Sequence, residues 1–127
     1  MKEMLLVAAG GGLGACARYL MSGWVLHYAV QSRFPYGTFA VNVTGCLVAG
    51  LLMALAEKYE LISPDARLFL FTGILGGFTT FSAFGVETVN LLRRGDVALA
   101  FTYVSLSVAC GLAALWLAYL ALPARKL

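Results

Sequence analysis

Four long apolar stretches fill a chain of only 127 residues and leave room for little else. They run over residues 5 to about 28, 38–56, 68–92 and 97–122, and each can cross a hydrocarbon core of about 30 Å, which takes roughly 20 residues of helix. With 61% hydrophobic and 12% charged residues, the apolar surface exceeds what a domain of this size can hide in a core of its own. The expected fold is an all-α membrane protein of four transmembrane helices, one domain over residues 1–127 with the lipid bilayer as its solvent. Met1, Lys2 and Glu3 form a thin charged start that runs into the first span, so no cleavable signal peptide is expected.

The third stretch does not read as an uninterrupted helix. Its middle is Gly76-Gly77-Phe78-Thr79-Thr80-Phe81-Ser82-Ala83-Phe84, and glycines and hydroxyl residues in that density are poor helix formers. Roughly a dozen residues lie on either side, which predicts a break near the bilayer midplane. A chain that breaks its helix at membrane depth lines a path or an ion site there.

The basic residues give little preference for orientation. Lys2, Lys58, Arg67, Arg125 and Lys126 fall on the side of the termini and Arg33, Arg93 and Arg94 on the other, with Arg18 inside the membrane. Five against three is a weak bias where a clear Lys and Arg excess normally sets topology. Insertion both ways would pair two inverted copies about an axis in the membrane plane, an antiparallel homodimer of dual topology. On that axis the carbonyls freed by the break in each copy could face one another, an arrangement suited to a small hard cation such as sodium. The same scatter of charge gives no basic patch, so no nucleic-acid partner is expected and headgroup contacts are the better reading.

Enzyme chemistry finds no support: the chain holds no nucleophile and base pair, no paired carboxylates and no phosphate-cradling loop. The glycines at 10–14 follow no strand and lack the later acidic residue of a dinucleotide site. Cys16, Cys46 and Cys110 match no metal spacing and read as small packing residues. What remains is a set of neutral donors in an apolar bundle: Asn42, Thr79, Thr80, Ser82, Tyr103 and Ser107. Asn42 lies on a small, polar stripe with Thr38, Gly45 and Ala49, and is either interhelical glue or part of a pathway. Phe81 and Phe84, three apart, share a helix face. They are either core packing or a pair of positive ring edges for an anion. Tyr103 and Ser107, one turn apart, either extend a line of hydroxyls or bond a neighbouring helix. Arg18 is costly at membrane depth and is expected to face a wet cavity, with an ion pair to Glu87 as the alternative. Glu87 is otherwise a pore-edge or interfacial carboxylate, and His27 has no second ligand at metal spacing.

Three motifs then carry a resemblance. Gly-Gly-Leu-Gly-Ala-Cys-Ala-Arg-Tyr at 11–19, Gly-Thr-Phe-Ala-Val-Asn-Val-Thr-Gly at 37–45 and Gly-Gly-Phe-Thr-Thr-Phe-Ser-Ala-Phe at 76–84 make the chain resemble the CrcB/Fluc family of fluoride channels, from end to end. The resemblance implies a fluoride-specific channel of the bacterial inner membrane, an antiparallel homodimer with two passive pores and one structural sodium ion at the interface. It gives Phe81 and Phe84 the place of the pore phenylalanines, Asn42 that of the pore asparagine, and Arg18 that of the vestibule arginine. Thr80, Ser82, Tyr103 and Ser107 match pore-side positions, and Gly76 and Thr79 match those whose main-chain carbonyls hold sodium. Ala83 departs from the family, which commonly has Thr or Ser between the two phenylalanines, and interrupts the hydroxyl line there.

A small multidrug antiporter, the main rival, would want a carboxylate deep in the first span, where this chain has Arg18. A non-transporting packing subunit would explain the glycines but not an interrupted third helix beside a polar stripe.

Overall fold

In the computed structural model, which describes residues 1–123, every regular element is helical. Helix α1 spans Lys2–Tyr28, α2 spans Tyr36–Lys58, and α6 spans Val97–Ala121. Between α2 and α6 the third span is composite: α3 (Pro64–Arg67), a π-helical segment (Leu68–Leu75), α4 (Gly76–Phe78) and α5 (Phe81–Arg93). Among the described residues, the four stretches Lys2–Tyr28, Tyr36–Lys58, Pro64–Arg93 and Val97–Ala121 are each long and apolar enough to cross a membrane. The protein is a multi-pass membrane protein. Arg125 and Lys126, two of the charges weighed for orientation, lie outside the described residues.

Local chemistry sets the ends of these elements. Ser63 starts the third span as its N-cap, its hydroxyl accepting from the Ala66 N–H at 3.2 Å, with Pro64 at the first helical position, where no N–H is needed. The span stops at Arg93, and Gly95 turns the chain in the left-handed region (φ 82°) that an L side chain avoids. Asp96, which precedes α6, pairs with Arg33 at 3.2 Å and so ties the α1–α2 connection to the α5–α6 turn. Lys58, at the end of α2, donates to the carbonyls of Tyr119 and Leu122 at 2.7 Å each and caps the end of α6.

Inside lipid there is little hydrophobic drive between helices, so the bundle is held by close approach of small residues. A Cβ on Gly50 would lie 3.0 Å from the Ala118 Cβ and run into the Leu115 carbonyl, and one on Gly111 would lie 3.3 Å from the Cys46 Sγ. These contacts seat α2 against α6. Gly10 and Gly14 do the same for α1 against the π-helical segment, and Gly77 lies on the backbone of Gly11. Many large apolar side chains, Leu13, Leu20, Phe101, Leu112 and Leu117 among them, point outward. The largest wholly buried side chains are Tyr103 and Val41.

Candidate functional site

The helical hydrogen-bond pattern of the third span stops at Phe78. Thr79 and Thr80 are extended (ψ 157° and 116°) and α5 begins at Phe81. An interruption in an apolar bundle exposes peptide groups that cannot be left unpaired. Asn42 meets this need with both ends of its amide. Its Oδ1 accepts from the Thr80 N–H at 2.8 Å and its Nδ2 donates to the Thr80 carbonyl at 3.0 Å, so it pairs both backbone groups of one residue in place of a neighbouring backbone. Because Thr80 supplies one donor and one acceptor, the amide orientation is set, and one Nδ2 hydrogen is left over. Gly45, one turn beyond Asn42 on α2, leaves the space that the Thr79 methyl fills.

Thr80 is also the N-cap of α5. Its Oγ1 accepts from the Ala83 N–H at 3.2 Å and lies 3.2 Å from the Ser82 Oγ. The Ala83 contribution to this cap is its peptide N–H, so the missing hydroxyl at that position costs the cap nothing. Thr79 turns its hydroxyl back onto the Leu75 carbonyl at 2.9 Å. The Phe81 and Phe84 rings are 5.6 Å apart and tilted by 40°. Phe84 packs inward, 5.2 Å from the Tyr103 ring, whereas Phe81 is 83% exposed on this chain.

Two turns beyond Thr80, Glu87 collects two hydroxyls from other helices. The Thr38 Oγ1 donates to its Oε1 and the Tyr103 O–H to its Oε2, both at 2.7 Å. Thr38 is 7% exposed and Tyr103 wholly buried, so the carboxylate is clamped by two nearly water-free donors. Tyr103 thus bonds a neighbouring helix. The suggested ion pair of Glu87 with Arg18 does not form: its oxygens are taken by the two hydroxyls, and the ion pairs found among the described residues are Lys2 with Asp65 and Arg33 with Asp96. Ser107, one turn after Tyr103, has a buried Oγ with no partner among the described residues. This Thr38, Glu87 and Tyr103 cluster is the part of the site that reading along the chain missed. Thr38 was visible only as one member of a polar stripe.

An open cavity of about 700 Å³ joins these parts. Arg18 and Ser22 of α1 line it on one side, Thr38 of α2 and Thr80, Ala83 and Glu87 of the third span on the other. Arg18 therefore opens onto a recess that Thr38, Thr80 and Glu87 also line, and polar groups in a largely apolar wall lower the cost of its charge there. The recess places a cation, the capped interruption and a clamped carboxylate in one continuous space. Asn42, Phe81 and Phe84 adjoin it through Thr80 and α5, while Gly76 and Thr79 do not line it.

Residues 5–119 match the family model described as CrcB-like protein, Camphor Resistance (CrcB). The chain is 53% identical over 119 residues to a protein of Methylobacillus flagellatus named fluoride-specific ion channel FluC, an alignment covering 94% of this chain and 93% of the relative. Proteins of the same name from Flavobacterium psychrophilum and Acidobacterium capsulatum are 47% and 44% identical, each over 91% of this chain and over 93% and 91% of their own lengths.

Proposed function

The chain belongs to the CrcB family of fluoride-specific ion channels, a family without enzymatic activity, and on that premise we propose that it conducts fluoride passively across the bacterial inner membrane. The observation that carries the reading is the Asn42 bridge: a helix interruption held open beside a cavity with a cation, Arg18, in its wall. Fluoride is small and strongly hydrated, so a pore must replace its water with several donors and still release it. The spare Asn42 hydrogen, the Ser82 hydroxyl, the unpartnered Ser107 hydroxyl and the positive edges of Phe81 and Phe84 are donors of that moderate kind. Thr80 and Tyr103 act on the pore indirectly, Thr80 by capping α5 and Tyr103 by holding Glu87.

The working unit in this reading is an antiparallel homodimer with two pores. Phe81, 83% exposed on this chain beside Thr80 and Ser82, is the part of the site that a second copy would complete in this reading. The balanced loop charges favour insertion in both orientations. The dimer axis passes through the interruption at mid-depth, where a structural sodium ion fits the donors. The Thr80 N–H, which a continuous helix would turn back to Gly76, is taken by Asn42, and this leaves the Gly76 carbonyl at an open helix end. Gly76 is exposed on this chain, and the Gly76 and Thr79 carbonyls are neutral oxygens of the type hard cations accept. Bound there, sodium would supply a fixed positive charge tying the two copies together.

Purified protein in potassium-loaded liposomes is expected to release fluoride rapidly once valinomycin carries the countercharge, while chloride barely moves. Chloride flux equal to that of fluoride, or proton-coupled loss of an organic cation, would sink the channel reading. For topology, single cysteines in the 29–35 and 59–63 connections are expected to label from both sides of the membrane. Labelling from one side only would rule out dual insertion.

A further inference from the structure

Glu87 lines a second cavity besides the Arg18 recess. This basin, about 120 Å³, lies between the α1–α2 connection and the end of α5, with Arg33, Asn90 and Arg94 around it. The clamped carboxylate therefore stands between a space holding one arginine and a space holding two. Of those two, Arg33 is paired with Asp96 at 3.2 Å, so its charge is largely offset. Arg94 lies at the end of α5, where a cation also favours the helix dipole. It is the charge in the basin that counters Glu87.

We propose that this basin is the loop-side mouth of the pore and that Arg94 concentrates anions at it, with Asp96 setting the strength of the field by neutralising Arg33. The inference rests on the fluoride-channel reading. A cation in the wall of a small concave site raises the local anion concentration and the rate of entry above those of the same site without it, an effect that shrinks as salt screens it. The screening length is roughly 30 Å at 0.01 M and about 3 Å at 1 M, so the arginine acts across the whole basin in dilute salt and much more weakly in concentrated salt.

The test is fluoride efflux from neutral-lipid vesicles at low and high ionic strength, with the balance made up by an impermeant salt. Arg94→Gln is expected to slow efflux about threefold or more in dilute salt and to approach the wild-type rate in concentrated salt. Asp96→Asn is expected to do the opposite and speed efflux in dilute salt, since it frees the Arg33 charge; a damaged fold would not do that. A conducting wild type whose rate neither variant alters in dilute salt overturns the mouth alone. So does an equal loss at both ionic strengths. A wild type that carries no fluoride overturns the channel reading instead, and the basin is then judged by a readout that needs no conduction. With Cys16, Cys46 and Cys110 changed to Ala, Asn90→Cys is expected to react several-fold faster with an anionic thiol reagent than with a cationic one, relative to their rates on a free thiol. Adding Arg94→Gln should bring that ratio toward one, and a ratio it leaves unchanged refutes the field.

Discussion

Replacing Asn42 by Leu is expected to abolish fluoride conduction and to lower the thermal stability of the purified protein. Leu keeps the branched heavy-atom skeleton of Asn, so the change tests hydrogen bonding more than shape. It removes at once the partner of the Thr80 N–H and the partner of the Thr80 carbonyl. A buried peptide group left unpaired costs about 1–3 kcal/mol, so the two Thr80 groups together cost roughly 2–6 kcal/mol, a large share of the stability of a domain this size. The chain can avoid that cost only by re-forming the helix through Thr79 and Thr80 or by letting the interruption collapse. Either outcome moves Phe81, Ser82 and the Thr80 cap away from the cavity. Asn42→Asp sharpens the test. A carboxylate can still accept from the Thr80 N–H but cannot donate to its carbonyl, and it puts a negative charge beside an anion path. Efflux at least tenfold below wild type is expected for both variants, measured with a fluoride electrode. A wild-type rate in Asn42→Leu would show that the bridge is dispensable and would return Asn42 to the role of simple glue.

The parts of this molecule that can be read along the chain are those that depend on composition within a single segment. The stretch at 97–122 becomes α6 over Val97–Ala121, and the others are located to within a few residues, because hydropathy acts locally and lipid tolerates little else. Ser63 and Pro64 announced the start of the third span for the same reason: a cap concerns adjacent residues. The π-helical pattern of Leu68–Leu75 is different. The Gly76 N–H reaches the Phe71 carbonyl, five residues back, but Leu-Phe-Leu-Phe-Thr-Gly-Ile-Leu is equally apolar whether its bonds run to the fourth or the fifth residue. Partner choice across helices was equally hidden. Asn42 presented itself as a polar residue needing a partner, yet nothing near it in the chain names the backbone of Thr80, 38 positions away. Glu87 required Thr38 and Tyr103 from two other helices before it became more than a carboxylate near an interface. Arg18 and Glu87 do stand on the same cavity, but the nearer hydroxyls of Thr38 and Tyr103 pre-empt the ion pair their opposite charges suggested.

Gly14→Ala is expected to prevent assembly of the bundle, although Ala is the best helix former and would suit an isolated α1. The methyl would fall on the Ile74 carbonyl oxygen, 2.8 Å from the Phe78 nitrogen and 3.0 Å from the Ile74 carbonyl carbon. All three atoms belong to backbone, so no rotamer change relieves the clash and the helices must move apart. One turn earlier, Gly10 is under the same constraint, with a Cβ there 2.7 Å from the Phe69 carbonyl oxygen and 2.9 Å from the Gly73 Cα. Separation therefore loosens a seam two turns long. Overpacking at one site typically costs about 1–3 kcal/mol, and a backbone obstacle places this substitution at the upper end or beyond. The consequence reaches the site because the π-helical segment leads through α4 into Thr79 and Thr80, so a displaced seam pulls on the interruption that Asn42 holds. The expected result is loss of the monodisperse peak on size-exclusion chromatography in detergent, with no fluoride efflux from whatever protein is recovered. Gly12→Ala provides the contrast: a Cβ at Gly12 meets no atom of this chain within 4 Å, and the variant should elute and conduct as wild type. A Gly14→Ala protein that elutes normally and conducts would show that α1 is not seated by its glycines, and the close-packed seam would lose its role in positioning the site.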